Sequence, residues 1–242
     1  MASVDRLEHN LRAVRARIDA AARAAGREPA EVRLLAVSKT WPAADVAALA
    51  ALGQREFAEN RVQELIGKAA ELGAAPDVPE LRWHLVGQLQ RNKAAAVARI
   101  AAVVHSVDRP SLVAALDRAA QQAQVRLDVF VQVDLGGPPG RDGARGGAPP
   151  EDVPGLADSV AGTAGLRLQG LMAVAPRDAD PAPAFARLAE LAARVRADHP
   201  GSRELSAGMS ADLEAAVTAG ATVVRVGTAL FGPRALSSEP DA

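Results

Sequence analysis

VRLLAVSKTWPAADVAALAALG, residues 32–53, contains the whole rhythm of the chain in one unit. Val32, Leu34, Leu35 and Val37 form a short apolar run with the length and β-branched content of a buried strand. Pro42 cannot continue a strand, and the Ala-rich stretch that follows has helical composition. Gly53 stands where a helix C-terminal stop is expected. Ser38 and Lys39 lie between strand and helix, so a lysine closes a run that otherwise avoids charge.

The same unit recurs along the chain. Strands are predicted at 32–38, 56–60, 81–87, 103–108, 126–135, 167–175, 203–206 and 222–227, and helices at 43–52, 61–72, 91–101, 110–124, 151–161, 182–198 and 210–219. Phe185, Leu188, Leu191 and Val195 mark the apolar face of the sixth of these helices. Gly220 repeats the role of Gly53. Ahead of the first strand, Leu7, Leu11, Val14 and Ile18 fall on one face of an additional N-terminal helix. Eight strands alternating with helices predict an α/β fold of the (β/α)8 TIM-barrel type, with residues 1–242 as a single domain and no compositional boundary.

Composition narrows the function classes. About half of the 242 residues are hydrophobic, yet the aromatics are only Trp41, Trp83 and four Phe, so Ala, Val, Leu and Ile must build the core. A formal net charge of −1 without long single-sign runs, together with few aromatics, argues against a nucleic-acid partner. No apolar run reaches membrane-span length and no signal pattern opens the chain, which predicts a cytoplasmic protein with no membrane partner. The absence of cysteine excludes thiolate chemistry and cysteine-ligated metal. Of 28 basic residues only Lys39, Lys68 and Lys93 are lysines. An amine can shed its proton and form an imine, which a guanidinium does not do, so each lysine invites a chemical explanation.

Polar residues gather at the predicted C-terminal ends of the strands: Ser38 and Lys39, Glu59 and Asn60, His84 to Gly87, Ser106 and Asp108, Asp134, Met172, Ser206 to Ser210, and Arg225 to Thr228. In a barrel that rim holds the small-molecule site. At an apolar mouth Lys39 becomes a candidate nucleophile for Schiff-base chemistry. Lys68 fits a solvated helix face, and Lys93 a surface position near a helix start. The stretches LSAGMSADLEAAVTAG (205–220) and VVRVGTALFG (223–232) put small residues and hydroxyls after strands seven and eight, where barrels often hold phosphate. A lysine and a phosphate cradle on one rim suggest a ligand with both an aldehyde and a phosphate, for which pyridoxal 5′-phosphate (PLP) is the economical candidate. The Gly/Pro-rich segment 136–150 leaves the fifth strand and is predicted to be a tolerated surface insertion rather than a lid.

AVSKT around Lys39, FAEN ending at Asn60, WHLVGQLQRNK from Trp83 to Lys93, HSVD from His105 to Asp108, GLMAVAP from Gly170 to Pro176 and the long motif from Leu205 to Gly232 resemble, in order, the pyridoxal phosphate homeostasis proteins. These are single-domain relatives of the N-terminal barrel of alanine racemase. The resemblance implies a fold-type III barrel that holds PLP as a Schiff base on Lys39. It implies a phosphate among Ser206, Gly208, Met209, Ser210, Gly227 and Thr228, with Arg225 facing the pyridine nitrogen and Asn60 near the ring. It implies a non-catalytic role in buffering or delivering PLP; PLP-dependent apo-enzymes are the expected recipients, and a monomer is the expected state. The chain departs from the family at Ala58, where FGEN is usual, and after strand five, where Arg145-Gly146-Gly147 stands in place of a Lys-x-Gly stretch.

Two other readings compete. A small PLP-dependent amino-acid racemase needs a second acid/base opposite the lysine. In alanine racemase a tyrosine from a separate C-terminal domain fills that role, whereas this chain contains no tyrosine and ends soon after its eighth strand. His84 or His105 would have to substitute, although core or rim histidines with ordinary partners explain both. An aldolase-like barrel without cofactor fits Lys39 but leaves Arg225 and the two phosphate loops without purpose.

Overall fold

The computed structural model describes residues 3–100, 102–136, 146–176 and 179–233. Eight parallel strands close into a barrel in sequence order: β1 (Arg33–Val37), β2 (Glu56–Glu59), β3 (Arg82–Leu85), β4 (Val103–Val107), β5 (Leu127–Val133), β6 (Leu166–Ala173), β7 (Glu204–Ser206) and β8 (Val223–Val226). All eight predicted strands are present, most of them trimmed at their ends. Around them lie α1 (Val4–Ala24), α2 (Ala43–Ala51), α3 (Val62–Gly73), α4 (Ala94–Ile100), α5 (Pro110–Ala123), α6 (Val153–Ala161), α7 (Pro181–Asp198), α8 (Leu213–Thr218) and the one-turn α9 (Thr228–Phe231). Gly53 and Gly220 follow α2 and α8 with φ of +91° and +103°, a backbone conformation in which a side chain would be strained. Among the described residues no helix is long and apolar enough to cross a membrane.

Strand alternation divides the apolar residues into two populations. Ala36, Phe57, Leu85, Val104, Val129 and Val224 face the helices and join one continuous core with α1 to α9. Leu35, Val37, Ala58 and Val223 form a separate small cluster, as do Val103, Phe130 and Met172. Arg225 pairs in register with Leu35, so it belongs to the inward set. Ala58, the departure from FGEN, is fully buried within β2.

The N-terminal helix earns its place by its apolar stripe. Leu7, Leu11, Val14 and Ile18 are at most 3% exposed, and each such burial contributes about 1.5–3 kcal/mol. Its polar residues reach the last units of the barrel. Arg17 donates to Glu214 (2.8 Å) and to the carbonyl of Ser210 (3.0 Å), and Asn10 donates to the carbonyl of Leu230 (2.9 Å).

The N-terminal end of the barrel is closed by charge. Arg33 bridges Glu204 and Glu56 (both 2.8 Å), Arg82 bridges Glu56 (3.3 Å) and Asp128 (2.6 Å), and Arg167 adds to Asp128 (2.6 Å). These residues stand at or near the starts of six strands, so the network ties the strand ends together. That agrees with a structural role for this end.

Between β5 and β6 the register slips by one residue after Val129, so that Phe130 pairs with Gly170. The extra residue, Gln169, turns its amide to Asp128 (2.8 Å). Beyond β5, Ala148 returns to bridge Val133, its N–H donating to Gln132 O and its carbonyl accepting from Asp134 N–H. Most of the Gly/Pro-rich segment, including Arg145, lies outside the described residues.

Candidate functional site

Barrel closure brings together the elements the sequence left far apart. Because β1 lies between β2 and β8, Lys39 just past β1 has Asn60 on one side and Gly227 and Thr228 on the other. The loop after β7 joins them: Arg225 N–H donates to Gly208 O (2.9 Å) and Ala229 N–H donates to Ser210 Oγ (3.2 Å), linking the two loops proposed to hold phosphate. A Cβ on Gly208 would lie 2.6 Å from Ala216 Cβ, so the turn tolerates only glycine against α8. Lys39 is half-buried, while Asn60, Met209 and Thr228 are exposed at the mouth.

The turn that presents Lys39 is held from three sides. Trp41 N–H donates to Ser38 O (3.0 Å), closing a four-residue turn. Its third residue, Thr40, has φ of +70°, a left-handed conformation that disfavours a β-branched side chain. Its N–H is caught by both carboxylate oxygens of Glu64 in α3 (3.2 and 3.3 Å). Trp41 stacks on Phe231 of α9, with ring centroids 5.7 Å apart. Strain of this kind persists only where neighbours enforce it, and it clusters at ligand sites. Thr40→Gly should therefore stabilise the fold by about 0.5–1 kcal/mol in urea denaturation, relief of strain outweighing the entropy of glycine. Unchanged or lower stability would show that the turn is unstrained.

Beneath this turn lies a cluster that the sequence reading missed. Lys68 is not on a solvated face: it is 8% exposed, and its ammonium donates to Ser38 O (2.8 Å) and to Glu59 Oε1 (2.7 Å). Ser38 Oγ donates to the same carboxylate oxygen (2.6 Å), while Glu59 Oε2 has no hydrogen-bond partner. Burial, and after it the neighbouring Glu64 carboxyl, push the pKa of Glu59 up to about 7 against the pull of Lys68 and Ser38. The signal was present in the spacing, since Leu65, Lys68 and Leu72 share one helical face and Leu65 and Leu72 are core residues.

Arg225 is the central charge of the site. It is 4% exposed, and it donates to Ser206 O (2.6 Å), Ser206 Oγ (2.8 Å) and Ala173 O (2.8 Å). Every one of these acceptors is neutral. Burial lowers its pKa to about 10, partly offset by the charge of Asp212. A buried cation without a contacting carboxylate is costly unless an anion or lone pair completes the site. Ser206, expected beside the phosphate, is fully buried with its hydroxyl committed inward to Arg225 and to His105 Nδ1 (3.0 Å). Ser210 and Thr228 are the hydroxyls of these loops nearer the mouth. His84, expected at the rim, instead lies inside the barrel, with Nδ1 2.9 Å from His105 Nε2.

Residues 3–235 match the family model of the alanine racemase N-terminal domain. The chain is 48% identical to a pyridoxal phosphate homeostasis protein of Mycobacterium bovis, covering 96% of this chain and 94% of that one. A pyridoxal phosphate homeostasis protein of Pseudomonas aeruginosa is 46% identical, covering 94% of this chain and 96% of its own length. The solved structure of PipY from Synechococcus elongatus with PLP bound superposes with a TM-score of 0.80 at 37% identity, covering 93% of this chain and all of that one.

Proposed function

The chain belongs to the pyridoxal phosphate homeostasis proteins within the alanine racemase N-terminal domain family, and from that premise we propose that it binds PLP through Lys39 and buffers or delivers it. One observation carries the reading. The half-buried Lys39 follows β1, and the buried Arg225 lies on the neighbouring β8 with no contacting carboxylate among the described residues, beside two loops joined through Ser210. An amine, a cation without a contacting anion and a cradle of hydroxyls and backbone N–H groups make a donor set that fits an aldehyde, a pyridine nitrogen and a phosphate.

When bound, PLP supplies an aldehyde that an amine can capture and a ring that can withdraw electrons. The protein's own groups divide the rest. Lys39 would be the covalent anchor, Ser210, Thr228 and the backbone around Gly208 and Gly227 would hold the phosphate, with Met209 bordering it while its N–H donates to Asp212 Oδ1 (2.6 Å), and Asn60 would border the ring. Arg225 would face the pyridine nitrogen and favour its unprotonated form, because a second positive charge beside a buried guanidinium is disfavoured. A ring held in that state withdraws electrons weakly, which suits storage better than turnover.

The remaining candidates for a second base support the same reading. His84 and His105 are 2% and 0% exposed and bonded to each other inside the barrel, so neither is placed as a mobile acid/base at the mouth. The whole chain acts as one cofactor-binding domain, as a cytoplasmic monomer, with PLP-dependent apo-enzymes as recipients of its cargo.

Borohydride reduction of the PLP-loaded protein, followed by intact mass measurement, tests the anchor. The parent should retain one cofactor per chain irreversibly and Lys39→Ala none. Equal retention by Lys39→Ala would remove Lys39 from this role.

A further inference from the structure

A file of hydrogen bonds runs from Arg225 away from the rim and towards the other end of the barrel. Arg225 Nη1 donates to Ser206 Oγ (2.8 Å), Ser206 Oγ lies 3.0 Å from His105 Nδ1, and His105 Nε2 lies 2.9 Å from His84 Nδ1. His84 Nε2 is shielded from solvent and has no hydrogen-bond partner, and its nearest charged neighbour is Glu56 Oε1 at 4.0 Å. That separation is too long for a direct hydrogen bond. His84 borders a cavity of about 390 Å³ at the N-terminal end, walled also by Arg33, Arg82, Asp128, Arg167 and Glu204. The His105 ring is fixed by stacking on Phe130, with centroids 4.3 Å apart and planes 17° from parallel.

Proton inventory gives this file a direction. A guanidinium only donates, so Ser206 Oγ accepts from Arg225 and keeps its own proton for another acceptor. Within the file that acceptor is His105 Nδ1. Both histidines are held neutral by burial foremost, helped by the surrounding arginines. A neutral His105 that accepts at Nδ1 must carry its proton on Nε2, and it donates to His84 Nδ1. His84 in turn carries its proton on Nε2, on the side of the Glu56 carboxylate. The opposite direction would leave the Ser206 proton without an acceptor in the file and turn a bare imidazole lone pair towards a carboxylate. The guanidinium at one end and the carboxylate at the other therefore agree on one arrangement.

We infer that His84 and His105 are positioning residues for Arg225: by drawing the Ser206 proton downward they keep an Oγ lone pair aimed at the guanidinium and fix its plane from beneath. The inference rests on the reading of Arg225 as the partner of the PLP pyridine nitrogen. Nη1 is then held by Ser206 and Nη2 by the carbonyl of Ala173, so the cation cannot tilt to follow the ring. Without the histidines the hydroxyl rotates, and its proton competes for the space the guanidinium needs.

The test combines a readout of the file itself with a readout of the ligand. In protein labelled with ¹⁵N-histidine, with and without PLP, both His84 and His105 should be in the Nε2–H form at neutral pH. An Nδ1–H form at either residue overturns the inference, whether or not PLP binds. In His105→Leu, bound PLP should dissociate about tenfold faster and show a displaced absorption band, the scale on which supporting groups act through the group they orient. A folded His105→Leu protein with the parent's dissociation rate and spectrum overturns the positioning role. Should His105→Leu fail to fold, His84→Leu supplies the second arm, since it removes only the acceptor of His105 Nε2–H. It should keep His105 in the Nε2–H form set by the Ser206 hydroxyl, now without an acceptor for that proton, and shift the PLP band, and a parent-like PLP spectrum in the folded variant overturns the inference. If the parent binds no PLP, the cofactor reading fails while the histidine forms still decide the direction of the file.

Discussion

Lys68→Met should destabilise the protein by about 3–5 kcal/mol near neutral pH, with the loss growing as pH rises. The substitution removes the only cation bonded to Glu59 among the described residues, leaving a fully buried carboxyl with the Ser38 hydroxyl as its remaining hydrogen-bond donor. The sign follows from linkage. The Glu59 pKa in the folded parent is about 7, above the ordinary 4.5, so the native state binds more protons than the unfolded chain between those values. The contribution of Glu59 to stability is fully present below 4.5 and is lost as pH rises through about 7. Removing Lys68 raises the folded pKa further and extends the loss to higher pH. Urea denaturation of the variant across mildly acidic to mildly basic buffers should show stability falling through that range. The double variant Glu59→Gln, Lys68→Met should recover most of the loss, because no buried charge remains to compensate. A single variant with a flat pH profile would mean that Glu59 is already hydrated or already neutral. Since Lys68 also grips Ser38 O, the proposed capture of PLP at Lys39 should slow in the single variant.

Gly170→Ala should cost about 3–5 kcal/mol, the upper range for a point substitution, and abolish PLP retention with it. A Cβ at this position would lie 1.7 Å from the carbonyl oxygen of Glu204 and 2.6 Å from its carbon. Both partners are backbone, so no side-chain rotation relieves the clash. β6 and β7 pair only from Gly170–Glu204 to Met172–Ser206, and β7 has three residues. Parting the strands at Glu204 therefore displaces Ser206, and with it the hydroxyl that Arg225 and His105 share. Gly201→Ala is the matched control, because a Cβ there meets nothing within 4 Å. Thermal melts and PLP retention should separate the two variants clearly; equal behaviour would show that the barrel absorbs the added methyl by shifting β7.

The alternation of short apolar strands with Ala-rich helices was legible because each unit carries its own punctuation, as in Pro42 and Gly53. The rim was legible for the same reason, since strand ends are local facts and barrel closure gathers them. Lys68 was misjudged because charge was weighed above helical position, although Leu65 and Leu72 placed it on the buried face. The histidine file was hidden for a different reason. Alternation tells whether a strand residue points inward but not at what depth its neighbour across the barrel stands, and the His105–Ser206 contact joins residues 101 positions apart. The resemblance implies a phosphate beside both Ser206 and Ser210, yet the two hydroxyls turn opposite ways. One faces Arg225, while the other meets the first turn of α9.

The clasp of α1 on the loops after β7 and β8 has a bearing on how the protein comes into being. Lys39 and Asn60 leave the ribosome early, whereas Ser210, Arg225 and Thr228 emerge among the last described residues, and Arg17 and Asn10 wait throughout for the carbonyls of Ser210 and Leu230. A chain that lacks the units after β7 would thus carry Lys39 without the cation and loops proposed to retain PLP. On the proposed assignment, retention of PLP therefore waits until α1 has closed on the loops after β7 and β8.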